Sequence, residues 1–159
     1  MAVRSASWAY AWSGDGTRLY MIAGSEPDRK RKAERDAGFD AVVFEEEPQF
    51  NRLFSARTEG SLDLHPSQIQ VPGFVDTVMA VPGGRQLLIE TAPSPSVDDS
   101  YVGKRVALLD LATGAVRMLP TTGKIGDVEP SPDGRTLSLI AAVDEHDPAA
   151  ISDSVRPSG

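Results

Sequence analysis

The chain has 159 residues, of which 40% are hydrophobic and 25% charged, a composition typical of a folded domain with its own core. It contains no cysteine, which excludes disulfides, thiolate metal sites and a cysteine nucleophile. The formal net charge of −7 repels phosphate backbones and anionic lipid headgroups, so we expect neither a nucleic-acid nor a membrane partner.

The amino end, residues 1–8, has neither the apolar segment nor the small-residue cleavage site of a signal peptide. No run of the sequence approaches the ~18 apolar residues of a spanning helix. We therefore expect a cytoplasmic protein. A periplasmic or secreted location is the alternative if the chain belongs to a longer protein with a signal peptide upstream.

One hairpin pattern occurs three times, over residues 8–23, 75–91 and 127–143. In each copy a short alternating strand is followed by a tight turn and then by a continuous apolar strand. Asp-Gly or Gly-Gly supplies the positive-φ positions that hairpin turns require, and Pro132 presets the backbone of the third turn. Continuous apolar strands of this length indicate burial between neighbouring sheets, as in stacked propeller blades.

The first two copies are separated by more than the ~40–50 residues of a typical propeller repeat. The charged stretch 25–38 accounts for the excess, and we predict that it forms a short exposed helix with Pro27 in its first turn and Gly38 at its end. Residues 41–44 and 52–57 predict two further strands of the first blade.

The second copy is followed by another hairpin, 105–119, with Gly114 at its turn. Four strands would then form one complete blade, whereas the third copy stops soon after its second strand. The predicted fold is an all-β partial β-propeller of about two and a half four-stranded antiparallel blades with one short helical insertion. A small β-sandwich of the same strands is the competing fold, and it leaves the repeat unexplained.

The predicted divisions are 1–70 (a blade with the insertion), 71–122 (a complete blade), 123–150 (a partial blade) and 151–159 (a disordered tail).

The catalytic prospects of this sequence are poor. It contains no Gly-x-Ser-x-Gly elbow, and its only histidines are His65 and His146. We place His65 on the surface at a strand end. Residues 144–147 combine three carboxylates with an imidazole, but neighbours on an extended chain point to opposite faces, so we expect a polar loop there. No catalytic residue, metal ligand or cofactor is predicted.

Two charged clusters have alternative interpretations. Glu45, Glu46 and Glu47 follow an apolar strand and would form a solvated loop that protects a sheet edge. Alternatively, they would form an acidic lip that attracts a cationic group, such as the free amine of a peptide, or that docks a partner domain. The basic run 29–32 is flanked by acidic residues, which favours a solvated helix face over a nucleic-acid patch.

The turns at residues 12–16 and 131–135 resemble the blade motif shared by TolB-type propellers and the propellers of prolyl oligopeptidase-family serine peptidases. Residues 33–54 resemble a segment of acylaminoacyl-peptidase-like and dipeptidyl-aminopeptidase-like members of that family, and 141–148 is similar to another. The resemblance implies a propeller that caps an α/β-hydrolase domain and filters peptide substrates by size. The hydrolase domain is absent from this sequence, so no catalytic residue carries over.

Two functional hypotheses follow. In the first, the chain is a truncated substrate-gating module of a serine peptidase, not catalytic by itself, whose partners are the missing hydrolase domain and a peptide substrate. In the second, it is a non-enzymatic TolB-like propeller that binds proteins or peptides and could self-assemble through its open blade edges.

Overall fold

The computed structural model describes residues 9–24, 37–38, 50–58, 65–121 and 124–142. Within these ranges the chain forms ten strands and one short helix, α1. The strands are β1 Tyr10–Trp12, β2 Arg18–Gly24, β3 Asn51–Arg57, β4 Ser67–Ile69, β5 Phe74–Ala80, β6 Gln86–Ala92, β7 Arg105–Asp110, β8 Val116–Met118, β9 Ile125–Pro130 and β10 Leu137–Ala141, and α1 is Val97–Tyr101.

The strands form three separate sheets, and every pairing within them is antiparallel. The first sheet has the order β1-β2-β3-β4, the second β5-β6-β7-β8, and the third the pair β9-β10. Four-stranded meanders stacked face to face are the blades of a propeller. The predicted all-β partial propeller is therefore confirmed, while the exact division into blades stays a prediction.

The helical insertion predicted over 25–38 lies almost wholly outside the described residues. Of the insertion predicted over 25–38, only Ala37 and Gly38 are among the described residues, and they form a turn. The helix that the structure does describe, α1, lies in the β6–β7 connection and was not predicted. Ser96 caps it by accepting a hydrogen bond from the Asp99 amide, and Asp98 and Asp99 occupy its first turn, where carboxylates stabilise a helix.

The second sheet is buried on both faces, which requires its central strands to carry apolar side chains at consecutive positions, as they do over 87–89 and 106–109. Leu87 pairs with Leu109, and Leu88 pairs with Leu108, so consecutive residues of β6 and β7 point to opposite sides. The side that faces the first sheet is called here the proximal face, and the side that faces the third sheet the distal face. Each fully buried Leu, Ile or Val side chain stabilises the fold by about 1.5–3 kcal/mol.

Two apolar cores result. The first lies between the first and second sheets and contains Ala11, Tyr20, Ile22, Leu53, Val75, Val78, Leu87, Ile89, Ala107 and Leu109. The second lies between the second and third sheets and contains Val81, Leu88, Val106, Leu108, Leu119, Ile125, Val128, Leu137 and Leu139. In both, the distal face of one sheet packs on the proximal face of the next.

Three equivalent hairpin turns lie at the same end of the sheets, over 13–18, 81–86 and 131–136. In each, the amide of the first residue donates to the carbonyl of the sixth, at 2.9, 3.1 and 2.8 Å in chain order. The amide of the fourth residue, always Gly, donates to the carbonyl of the first at 2.9, 3.1 and 2.9 Å. Because both bonds recur at the same positions of each turn, the residues of the three copies can be matched one to one.

Neighbouring turns also touch one another. Gly134 packs so closely on the second turn that an added Cβ would overlap the carbonyl oxygen of Pro82 and lie 3.1 Å from its carbonyl carbon. The corresponding Gly16 of the first turn has a similar φ of 71°, against 68° for Gly134, but a Cβ there would have no neighbour within 4 Å. Gly134 is thus required both by its positive φ and by its contact with Pro82, whereas Gly16 is required by its positive φ alone.

This pair of glycines gives a matched test. Gly16→Ala should cost about 1–2 kcal/mol, the strain of a left-handed alanine. Gly134→Ala should cost a further 1–3 kcal/mol or so, because the methyl group also overlaps Pro82. Urea unfolding of both variants measures the difference. Equal losses would show that the third sheet is not held against the second turn in this way.

Candidate functional site

A cleft of about 810 Å³ lies between the first and second sheets at the end where the hairpin turns are found. Its lining comes from the first turn, the second turn and the β7–β8 turn, and from single residues of strands β2, β3, β4 and β7. Apolar side chains that line it are Tyr20, Ile69, Leu109 and Leu111, and charged ones are Asp15, Arg18 and Asp110. A smaller cleft of about 300 Å³ lies between the second and third turns.

Asp15 is fixed at the rim of the cleft by its own turn. Its Oδ1 accepts hydrogen bonds from the Ser13 hydroxyl at 2.6 Å, the Thr17 amide at 3.0 Å and the Thr17 hydroxyl at 2.9 Å. These donors favour the charged carboxylate, the Ser13 hydroxyl most strongly, and together they lower the pKa of Asp15 to about 2. Its other oxygen, Oδ2, accepts no hydrogen bond within the described part of the chain.

Asp110 occupies the opposite rim, at the start of the β7–β8 turn. Its Oδ1 accepts from the Thr113 amide at 2.8 Å, the Thr113 hydroxyl at 2.9 Å and the Ala112 amide at 3.0 Å. The Thr113 amide is the largest of the causes that lower the pKa of Asp110. Among the described residues, the hydrogen bonds to Asp110 all end on Oδ1, and the positive charge of Arg85 also favours its ionised form.

Tyr20 forms part of the apolar floor and brings a polar group into the cleft. The residue is buried against the second sheet, and this burial raises the pKa of its phenol. Among the residues described, none forms a hydrogen bond with the Tyr20 hydroxyl or an ion pair with the neighbouring Arg18 guanidinium. The hydroxyl is not among the buried polar atoms without a partner, so it is accessible to solvent in the cleft although the ring is buried.

The chemistry of these groups suits binding better than catalysis. Carboxyls whose pKa is lowered are weak bases at neutral pH and cannot donate a proton. The described residues that line the cleft include no histidine. An apolar floor with a few polar groups at fixed positions is typical of a ligand site, and the two carboxylates favour a ligand with a cationic group.

A second polar cluster lies at the other end of the second sheet. The Lys104 ammonium contacts Asp76 Oδ2 at 2.8 Å and Glu90 Oε2 at 3.1 Å, and the Thr77 hydroxyl also donates to Glu90 Oε2 at 3.1 Å. Glu90 is only 6% exposed. Burial by itself lowers the pKa of Lys104, but the hydrogen bonds and charges of Asp76 and Glu90 outweigh it and raise the pKa.

A strand irregularity positions this cluster. The register of β5 against β6 shifts between Val75 and Thr77, so Asp76 is an extra residue in the ladder. The bulge places the Asp76 carboxylate beside Glu90, and Lys104 lies between the two carboxylates. Since every charge in the cluster has a partner, we assign it a structural role.

The residues singled out from the sequence do not meet in one place. Glu45, Glu46 and Glu47, the basic run 29–32 and the group 144–147 all lie outside the described residues. His65 is exposed and precedes β4. Within the described ranges, no three metal-ligating side chains converge, and no helix is long and apolar enough to cross a bilayer.

Comparison with known proteins supports the fold. No protein-family model and no curated protein sequence matches the chain. Among solved structures, it matches a crystal structure of TolB from Acinetobacter baumannii, with a TM-score of 0.52 and 11% sequence identity, over 82% of this chain and 25% of the TolB chain. This is a TolB-like propeller fold. The chain spans about a quarter of the length of TolB, and at this identity the match shows the fold alone. The prolyl oligopeptidase-family resemblance finds no support in these comparisons.

The cleft itself was not predicted from the sequence. Its polar groups lie in turns that were assigned a purely conformational role. One signal was present: Tyr20 is at the strand position where the other two copies have Leu88 and Ser138. A tyrosine at a buried position needs a hydrogen-bond partner or solvent for its hydroxyl, and here the hydroxyl reaches the cleft.

The hydrogen bonds of Asp15 predict its titration. Ser13→Ala removes the largest cause of the lowered pKa, so the pKa of Asp15 should rise towards its ordinary value. Because the pKa is lower in the folded than in the unfolded chain, the ionised carboxylate stabilises the fold at neutral pH. That contribution is lost as the pH falls from about 4 towards 2.

Carboxyl-carbon NMR titration measures this effect. Ser131→Ala is the matched control, since Ser131 donates to Asp133 in the third turn just as Ser13 does to Asp15 in the first. It should raise the pKa of Asp133 and leave that of Asp15 unchanged. A Ser13→Ala protein in which Asp15 titrates as before contradicts the assignment.

The Lys104 cluster predicts a loss of stability. Lys104→Met keeps the aliphatic stem but leaves two carboxylates together without their cation. We expect a cost of about 2 kcal/mol, below the roughly 3–5 kcal/mol of a fully buried pair because Asp76 is partly exposed. A second change, Glu90→Gln, should recover part of the lost stability by removing one of the two negative charges. Unfolding in urea measures both, and an unchanged midpoint for Lys104→Met would contradict the structural role.

Proposed function

We propose that the chain is a non-catalytic part of a TolB-like propeller that binds peptides or exposed protein segments in the cleft between its first two sheets. The observation that carries the proposal is the convergence of an apolar floor with three polar groups that have no hydrogen-bond or ion-pair partner among the described residues: the Tyr20 hydroxyl, the Arg18 guanidinium and Asp15 Oδ2. A peptide supplies both apolar side chains and backbone donors and acceptors, so it matches such a lining.

The charge at the rim narrows the ligand class. Asp15 and Asp110 are held ionised by their turns and lie on opposite sides of the cleft. A lysine or arginine side chain flanked by apolar residues would contact the carboxylates while its neighbours cover the partly exposed Ile69 and Leu111. We therefore propose a basic-apolar sequence as the preferred ligand.

A second candidate, substrate gating for a serine peptidase, rests on the resemblance of residues 33–54 to prolyl oligopeptidase-family propellers. It shares the peptide ligand and adds an α/β-hydrolase domain as partner. A reading frame that continues into a Gly-x-Ser-x-Gly elbow would favour this candidate. If no such elbow follows, peptide binding without a hydrolase partner is the proposed function. We propose a cytoplasmic location in that case.

Binding can be tested with a capped pentapeptide, glycine-leucine-arginine-leucine-glycine, by isothermal titration calorimetry. Replacing both carboxylates, Asp15→Asn with Asp110→Asn, keeps an oxygen acceptor in each turn and removes the charges. We expect binding to weaken at least about fivefold, or 1 kcal/mol, since part of the affinity is electrostatic.

Asp133→Asn is the matched control because Asp133 occupies the same position in the third turn but does not line the cleft. It changes the net charge in the same direction and should leave the affinity unchanged. Equal weakening by both changes would indicate non-specific attraction to an acidic protein. Absence of binding to the unmodified chain would exclude the proposal.

Catalysis is tested separately. The purified chain should hydrolyse neither peptide nor ester substrates, because the Ser13 and Thr17 hydroxyls donate to Asp15, whose lowered pKa makes it too weak a base to activate them. Chromogenic peptide and ester substrates measure this directly. Turnover that a serine-reactive phosphonate abolishes would overturn the non-catalytic assignment.

A further inference from the structure

A pair of arginines lies at the cleft end of the first sheet. Arg18 of β2 and Arg57 of β3 are directly opposite each other in the ladder. The Thr58 amide donates to the Thr17 carbonyl at 3.0 Å, so the next pair along, Arg18 with Arg57, is a non-hydrogen-bonded pair. In such pairs the Cα atoms are only about 4.5 Å apart, and the two side chains leave the same face of the sheet side by side.

Neither arginine has an anionic partner in the part of the chain that the structure describes. The ion pairs found there are those of Lys104. Arg57 is exposed, and Arg18 is half-buried and lines the cleft. Like charges directly opposite each other destabilise a sheet. The pair therefore concentrates positive charge at one place in a protein with a net charge of −7, and it does so against the stability of its own sheet.

The second sheet shows that the repeat does not require this pair. Its equivalent residues are Gln86, which corresponds to Arg18, and Asp110, which corresponds to Arg57. These two are also directly opposite each other, yet one is neutral and the other negative. The positive pair is therefore a property of the first sheet, at the junction where the larger cleft lies. Departures from an otherwise consistent pattern are expected at functional sites.

The adjacent pair on the same face also departs from the repeat and adds two hydroxyl groups. Tyr20 pairs with Ser55, and both line the cleft, whereas their equivalents Leu88 and Leu108 are buried in the second core. Burial raises the pKa of the Tyr20 phenol, and the positive charge of Arg18 acts in the opposite direction, so the guanidinium lies near the phenol. A guanidinium and two hydroxyls, all hydrogen-bond donors, therefore share one wall of the cleft.

This wall matches a carboxylate. The planar guanidinium of arginine donates two parallel N–H bonds to a carboxylate, and hydroxyls can donate to the same oxygens. A phosphate ester, which carries a charge of about −1.5 to −2 at pH 7, suits the cleft less well. The ionised Asp15 and Asp110 on its rim repel a dianion more strongly than a monoanion.

We propose that Arg18, with Arg57 beside it, forms a carboxylate subsite of the cleft, and that the ligand carries a carboxylate close to its basic residue. This inference rests on the proposed peptide-binding function. The carboxylate is supplied by the free carboxyl end of the peptide or by an acidic side chain that follows the basic residue. The cleft then separates the two charges of one ligand, with the cation at Asp15 and Asp110 and the anion at Arg18.

Three acetylated tetrapeptides of equal length test this subsite on the full chain by isothermal titration calorimetry. The first is glycine-leucine-arginine-leucine with a free carboxyl end, the second is its amide, and the third is the amide of glycine-leucine-arginine-glutamate. We expect the first or the third to bind at least about fivefold more tightly than the second. The tighter of the two identifies the source of the carboxylate. Non-specific attraction predicts the reverse order, because the net charge of −7 favours the second peptide, which alone is positively charged.

Arg18→Gln keeps hydrogen-bond donors at the subsite and removes the charge, so the ratio of the amide's dissociation constant to that of the carboxylate peptide should fall to near one. Arg57→Gln, at an exposed position, should lower the same ratio by a smaller factor. The matched control is Arg135→Gln, an equal change of charge at an exposed position of the third turn that does not line the cleft. It should leave the ratio unchanged. Because each ratio is measured within one variant, a change in stability or in the affinity for the amide cancels.

The outcomes separate this inference from the function on which it rests. If the amide binds and neither carboxylate peptide binds more tightly, the subsite is overturned while peptide binding stands. Equal ratios for Arg18→Gln and Arg135→Gln would also overturn it, because the preference would then reflect the overall charge of the protein. If none of the three peptides binds, the subsite and the proposed function are both overturned.

Discussion

The packing of one sheet's distal face on the next sheet's proximal face is the interaction on which the rest of the molecule depends. It requires the middle sheet to be apolar on both sides, and residues 87–89 and 106–109 satisfy this by placing hydrophobic side chains at consecutive positions. Both faces of such a strand are apolar, so neither is stable in contact with water. It is stable only between two neighbours, so each sheet's stability is tied to that of the sheets beside it.

The position of the cleft follows from this packing. Stacking equivalent sheets brings equivalent turns to one end, and the gap between two turns depends on the residues at their tips. Gly14 and Gly84 approach each other at the mouth of the first junction, and Gly134 rests on Pro82 at the second. The larger cleft lies at the first junction, where Tyr20 occupies the position that Leu88 has in the second sheet. The carboxylates are fixed by bonds within their own turns, so they are in place before any ligand arrives.

Much of the fold could be predicted from the sequence because its determinants are local. Asp-Gly and Gly-Gly pairs, alternating strands and continuous apolar strands are short-range patterns, and they identify the hairpins and the stacked sheets. The polar features could not be predicted in the same way. Lys104 meets Glu90 and Asp76 only after three strands pair and one of them bulges, and Tyr20 becomes a cleft residue only when a second sheet packs beside it. Helix α1 depends on Ser96 and two aspartates in a segment whose composition is equally typical of a loop.

The contact between Gly134 and Pro82 limits which sequences can keep this arrangement of sheets. The second and third turns meet backbone to backbone there, and an added methyl group would overlap the Pro82 carbonyl oxygen. A redesign of the third turn could therefore change its exposed side chains freely, but it would have to keep glycine at position 134 to keep the third sheet in place.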